Sequence, residues 1–600
     1  MKIRVANYIS QFLVKHNISD CFMVTGGGAM HLDDALGHQV GLKCIFNHHE
    51  QACAIAAEGY TRMTGKLAAV CVTSGPGGTN TITGVLGGWL DSIPMFILSG
   101  QVKRETTTWS CEEIGLRQLG DQEYNIVDSV SNMTKYSVMI TNPNEIAYHL
   151  EKALYMAQNG RGGPVWLDIP LDIQGAIIED TTLIHFNPIE EKPWQVSSFN
   201  KDLVKEIFSK IKNANAPLIL AGTGIRLGNA EDEFLKVIEK LQIPVVTAWN
   251  ANDTVAYDNS YFVGMPGTVG TRSGNFAVQN CDLLISLGCR LNIRMIGYNH
   301  FDFANKAYKI IIDIDPRELI KPTIKPDMPI NANVKDVLLA MLEEDYIPER
   351  KHLEWLNWCK EKLEKYPTVL KEYYNDGSDL INPYVFVDVL FNRLNKKDKI
   401  VCGNGSACVI TFQGCKIKQG QRIFTNSGCA AMGYGLPAAL GVAVSDNNFR
   451  TICIDGDGSI MMNIQELATI VYNKLDIKIF IINNNGYHSI RQTQNNLFKP
   501  PYIGIDSDSG ICFPDFKILS DAFGIKYLSL SNEKESEQII ESVLASKGPF
   551  ICEVKVDSKQ NFAPKSSSRV LPDGRIVSPS LDDMAPFLDR EEYENIKFVR

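Results

Sequence analysis

The chain has 600 residues, 44% hydrophobic and 21% charged, so it can bury several cores, and ~150 residues per domain predicts three or four domains. Fifty-nine Lys and Arg against 69 Asp and Glu leave a formal net charge of −10, which argues against a phosphate-coating nucleic-acid binder. A small anionic ligand held by local dipoles is not excluded. The 15 cysteines include no C-x-x-C pair and several lie in apolar runs, so they read as reduced, buried thiols. The N-terminal MKIRVANYISQFLVKHN reads as an amphipathic helix and not a signal peptide. The most apolar long stretch, GVLGGWLDSIPMFILSG, is interrupted by Asp91 and Pro94, so no membrane span is expected. Secreted, fibrous, disordered and membrane classes are set aside, and the expected location is cytoplasmic.

Along the chain, short β-branched runs bounded by Gly and Pro alternate with helical patterns. CFMVTGGG, LAAVCVTSGPGG, MFILSGQ and PVWLDIP come first, then PLILAGTG, PVVTAW, DLLISLGCR and KIIIDIDP, then KIVCGNG, TICIDGDG, KIFIINNNG and FICEVKVD. Apolar strands separated by helices predict parallel sheets covered on both faces. A mixed segment at 183–200 reads as a linker, and 345–382 as a charged helical connection. The expectation is an α/β protein of three doubly wound domains, 1–182, 195–345 and 375–558. A tail, 559–600, follows as a lid, an interface segment or a loosely docked end.

The strongest chemical signal is TICIDGDGSIMMNIQELATIVYNKLDIKIFIINNNGYHSI. One apolar strand ends in Gly456-Asp457-Gly458, and the next ends in Asn483-Asn484-Asn485, with Asn484 placed 27 residues after Asp457. Ligands bind beyond the carboxyl ends of parallel strands. The glycines admit a phosphate, while Asp457, Asn484 and a main-chain carbonyl suit Mg²⁺. Two ordinary turns would explain each piece but not their joint placement.

This segment resembles the diphosphate–Mg²⁺ motif of thiamine-diphosphate enzymes, and the resemblance extends to acetolactate synthases in family order from about residue 3 to 558. A lone Glu at a helix start is ordinarily a favourable first-turn charge. In HEQACAIAAEGYTRMTGKLAAVCVTSGPGGTN the resemblance makes Glu50 the cofactor-activating acid and brings Pro76 to the cofactor. It aims the backbone N–H groups of Gly26 and Gly27 at substrate oxygens and carries Gln122 into the site. Met432 would prop the cofactor in a bent shape. Gly405, Ser406, Gly456, Asp457, Gly458 and Ser459 would hold its diphosphate, and Asp457, Asn484 and Gly486 the metal.

The resemblance also implies a middle domain that binds FAD or ADP, or has lost the nucleotide. Gly222, Gly224, Gly264, Gly267, Gly288, Arg290, Arg294 and Asp313 are scaffold chemistry one by one, but together with Arg161 they favour FAD, which takes no part in a net redox step in that family. The two halves of the thiamine site fall on different domains, which in this superfamily meet across a subunit interface, implying a homodimer or a dimer of dimers.

Three departures concern the acceptor and flavin sides. Leu171 stands where the family has a lysine, Asn292 and Ile293 precede Arg294 in place of acids, and no Trp follows Trp358. His488 either meets an acceptor hydroxyl or is a surface or helix-start histidine, and at least one of His48 and His49 is structural. The expected activity is a carboligase that decarboxylates pyruvate and transfers a two-carbon hydroxyethyl unit to a second carbonyl. That acceptor is pyruvate, giving acetolactate, or a nucleotide-linked keto sugar, which the tail also suggests by resemblance. A simple 2-oxo acid decarboxylase is the alternative, and a non-catalytic FAD or nucleotide binder the alternative of another class.

Overall fold

The computed structural model describes residues 2–189, 199–374, 377–446, 448–570 and 573–598; most of the expected linker, 190–198, lies outside the described residues. Three six-stranded sheets, each parallel throughout and flanked by helices, make an α/β fold. The twelve apolar runs named above are the four interior strands of each sheet. The edges are shorter or more polar strands, such as Phe262–Gly264 and Lys526–Leu530.

Numbered within each sheet, the strand order of the first is 2-1-3-4-6-5, that of the third is the same, and that of the middle one is 3-2-1-4-5-6. The first and third sheets also pack through equivalent helices. Glu50–Thr64 and Gly435–Ser445 each join the second strand of their sheet to the third. The contact is reciprocal and needs glycine on both sides. A Cβ on Gly59 would lie 2.5 Å from Ala438 O, and one on Gly441 would lie 1.9 Å from Ala56 O. One buried core runs through both helices and both sheets.

Beneath this contact Glu58 accepts from Arg62 Nε at 2.7 Å, from Tyr434 at 2.6 Å and from Asn426 at 3.1 Å. Arg62 also reaches Asp91 at 2.6 Å, so both buried carboxylates are paired.

The expected connection at 345–382 is more than a connection. In helix Arg350–Lys365, Trp355 is fully buried in the middle-domain core and donates to Pro217 O at 2.9 Å. The tail is docked and not loose. Ala563 N donates to Tyr384 Oη, Ser566 N to Thr268 O, and Asn275 Nδ2 to Leu581 O. Met584 is fully buried, and Phe598 packs on Trp355 and Trp358. None of the 15 cysteines is in a disulfide, and eleven are buried. No described helix is long and apolar enough to cross a membrane.

Candidate active site

In the third sheet, strands Lys399–Cys402 and Thr451–Gly456 are neighbours whose connections leave in opposite directions, the place where parallel sheets open a binding crevice. Gly405, with φ 68°, opens helix Ser406–Gly414 there, so free helix-start N–H groups face the crevice. Across it Asp457, 1% exposed, accepts from Gly458 N and Gly486 N, each at 2.9 Å. Burial nevertheless pushes its carboxyl up to about 6. Gly486 has φ 137°, and a Cβ there would sit 1.9 Å from Ile505 O, so the turn that aims its N–H at Asp457 admits no side chain.

Asn484 donates to Ser406 Oγ at 3.3 Å, while its buried Oδ1 has no partner among the described residues. An orphaned amide oxygen beside a buried carboxylate fits a hard divalent cation. Among the described residues no cluster of three or more His, Cys, Asp or Glu is placed to cage a metal. A cation held by Asp457, Asn484 and the Gly486 carbonyl would therefore complete its shell with ligand oxygens. Ser459 Oγ accepts from Gly433 N at 3.1 Å, which ties the Asp457 turn to the half-buried Met432.

The first sheet repeats this geography with different chemistry. Beyond strands Asp20–Met23 and Ala69–Val72 lie Gly26, Gly27 and Gly28 on one side, and Thr73 to Pro76 on the other. Gly26 N–H does not face the crevice as expected but donates to Asp33 at 3.0 Å, and Gly28 N–H donates to Thr73 at 3.1 Å. The space over Gly27 is open. Gln122, in the left-handed region at φ 59°, has its carbonyl 2.5 Å from where a Cβ on Gly75 would stand, so its backbone closes over the start of helix Pro76–Asp91.

Glu50 is half-buried at its helix start and accepts from Asn80 Nδ2 at 3.0 Å. His49 is structural, its ring capping the helix by accepting from Gln51 N at 3.0 Å. Fully buried Glu466 of the third domain fixes the preceding loop, accepting from Asn47 at 2.8 Å and His48 N at 3.0 Å. The hydrogen bonds of Glu50 and Asp457 thus stay within their own domains. Exposed apolar side chains neighbour each half: Phe46, Trp109, Leu119 and Tyr124 in the first domain, Ile490, Leu497, Phe498 and Ile503 in the third.

A cavity of about 670 Å³ opens where the three domains meet, in the size range of small-molecule and cofactor sites. Seven of the residues expected around a nucleotide line it: Arg161, Gly224, Gly267, Gly288, Arg290, Arg294 and Asp313. Gly222 lies behind the wall, against Gly288 and Cys289, and Gly264 packs against Thr271 and Ser273. Arg161 reaches Asp315 at 3.1 Å and Glu318 at 2.9 Å, and burial pushes Asp313 up to about 6. Arg294 stacks over Trp249 at 4.7 Å.

Sequence reasoning missed Arg62, Asp91, Arg226 and Arg422 on this wall. Arg422 and Arg226 both pair with the fully buried Asp253. The signal for one of them was present, because Asp91 is the charge that interrupts the most apolar long stretch. His488, the first residue of helix His488–Leu497, is not on the surface. The tail covers it, with Gln560 O 3.0 Å from its Nε2, and burial pushes the ring down to about 4, so it is neutral.

Residues 3–129, 204–341 and 403–554 match, in turn, the families described as thiamine pyrophosphate enzyme, N-terminal TPP binding domain, central domain, and C-terminal TPP binding domain. The chain is 31% identical over 582 residues to the acetolactate synthase large subunit of Cyanidium caldarium, covering 93% of this chain and 95% of that protein. It is 30% identical over 580 residues to the acetolactate synthase isozyme 2 large subunit of Escherichia coli (strain K12), covering 97% and 100%. Isozyme 1 of the same strain is 28% identical, with 93% and 95% covered.

Proposed function

We infer the reaction from one premise: the chain belongs to the acetolactate synthase family of thiamine pyrophosphate enzymes. It is a thiamine-diphosphate-dependent carboligase that removes CO₂ from pyruvate and joins the remaining two-carbon unit to a second carbonyl. With pyruvate as acceptor the product is acetolactate. A nucleotide-linked keto sugar is the alternative acceptor, because Leu171 leaves a second oxo acid without the family's lysine.

The observation that carries this reading is the oxygen set of Asp457, Asn484 and Gly486 at the ends of two adjacent strands. These groups would hold Mg²⁺, and the N–H groups at Gly405–Ser406 and Gly456–Ser459 would receive the diphosphate. Thiamine diphosphate, when bound, supplies a ring that takes up the electron pair left as CO₂ departs. Glu50 would hold a proton against the aminopyrimidine, with Asn80 fixing its carboxylate. Gln122 and Gly27 border the same crevice, and Met432 would lie beneath the cofactor.

The middle cavity supports FAD: its arginines suit a diphosphate and Asp313 suits a ribose or adenine. A yellow purified protein with a flavin spectrum tests this. The assembly is a homodimer, or a dimer of dimers, with Glu50 of one copy facing Asp457 of another. The apolar side chains exposed around both half-sites support it, and sedimentation analysis tests it. We place the enzyme in the cytoplasm.

The deciding experiment is mass-spectrometric product analysis with labelled pyruvate against a panel of oxo-acid and keto-sugar acceptors. Release of acetaldehyde without acceptor consumption would make the protein a decarboxylase. No CO₂ release with both cofactors present would make it a nucleotide binder.

A further inference from the structure

The face of helix His488–Leu497 next to the metal loop carries two buried side chains with polar atoms left over. His488 and Gln492 stand one turn apart, 5% and 4% exposed. Among the described residues neither His488 Nδ1 nor Gln492 Nε2 has a hydrogen-bond partner. Buried polar atoms are nearly always paired, so two orphans on one turn point to a ligand.

The tail closes this face. Gln560 O lies 3.0 Å from His488 Nε2, Phe562 packs edge-on against the ring, and Lys565 Nζ donates to Gln492 Oε1 at 3.1 Å. The Lys565 backbone is bonded in both directions to Ala585, so the ammonium is held in place at the half-buried rim. Burial pushes that ammonium down from its ordinary range, a penalty that ligand oxygens would relieve.

These contacts decide what each leftover atom can do. A carbonyl only accepts, so the contact with Gln560 sets the His488 proton on Nε2, and Nδ1, which meets no acceptor among the described residues, presents its lone pair. An ammonium only donates, so Gln492 turns its oxygen to Lys565 and leaves its NH₂ free to donate. One acceptor beside two donors matches a hydroxyl next to a second oxygen. A carboxylate has no proton to offer Nδ1.

Resting on the carboligase reading, we propose that His488, Gln492 and Lys565 form the subsite for the second substrate and select a hydroxylated carbonyl compound over a simple 2-oxo acid. Hydroxyacetone and acetone, offered to the holoenzyme with pyruvate as donor, isolate a single hydroxyl. The expected kcat/KM ratio favours hydroxyacetone by on the order of a hundredfold or more, because a site built to bond a hydroxyl rejects the analogue lacking it. Gln492→Leu and His488→Phe bring the ratio close to one, and Lys565→Arg keeps it well above one. Should His488→Phe not fold, Lys565→Met on the rim must lower the ratio instead.

A wild-type ratio near one, or a ratio that survives these substitutions, overturns the proposal. CO₂ release from pyruvate alone separates the two readings. Its absence in the wild type overturns both, whereas release with a ratio of one overturns the acceptor assignment only.

Discussion

The first and third domains are the same sheet used twice. Both have the strand order 2-1-3-4-6-5, and both carry loop residues of their half-site at the carboxyl ends of strands one and three, to which the third domain adds Asn484 and Gly486 after its fourth strand. Even an interior detail repeats. Asp168, fourth in strand Val165–Pro170, accepts from Gln101 at the end of the fourth strand; Glu553, fourth in Phe550–Lys555, accepts from Asn483 at the same place. The loops differ. The third domain sets a buried carboxylate and an orphaned amide oxygen at its strand ends, whereas the first sets glycines there and a carboxylate, Glu50, after its second strand. Topology decides where a ligand goes, and loop residues decide whether the site holds a cation or moves a proton.

Four substitutions test this contrast. Asp457→Ala should abolish Mg²⁺-dependent retention of thiamine diphosphate in calorimetric titration, because its carboxylate is the anionic oxygen of the proposed Asp457, Asn484 and Gly486 set. Glu50→Gln should do the opposite, still binding cofactor but turning over roughly 10²–10⁴ slower at saturation; loss of binding instead would merge the two roles. Gly441→Ala attacks what joins the domains, and should cost roughly 1–3 kcal/mol by overpacking, read from denaturant midpoints.

The fourth concerns the repeated interior acid. Burial pushes Asp168 up to about 7, so the folded state keeps a proton that the unfolded chain releases near pH 4. That carboxyl therefore weakens the fold as pH rises from about 4 to about 7. Asp168→Asn should gain stability relative to wild type across that window and no further above it, as followed by thermal unfolding against pH.

The interior strands were legible because both their faces are buried, leaving continuous apolar runs; edge strands such as Lys526–Leu530 are half-solvated and lose that mark. Asp457 and Asn484 were legible because strand ends flag them locally. The pairing of Arg62 with Asp91, and of Arg422 with Asp253, was not, since the partners lie 29 and 169 residues apart and no local period links them. The same holds for His488, whose burial depends on Gln560, 72 residues on. Trp355 looked like part of a charged connector because its helix is polar on the faces that do not touch the middle core.

The reciprocal glycine contact between helices Glu50–Thr64 and Gly435–Ser445 bears on how the protein melts. A calorimeter counts cooperative units, and units follow shared cores more than sheets. The first and third sheets share the core between them, while the middle sheet has its own, closed by Trp355 and the tail and joined to the third sheet's outer core through Trp249 and Met265. Three sheets should therefore give two transitions. The outer two domains, hundreds of residues apart in the chain, would lose structure at one temperature, so damage to the cofactor-activating half would be felt as damage to the metal half.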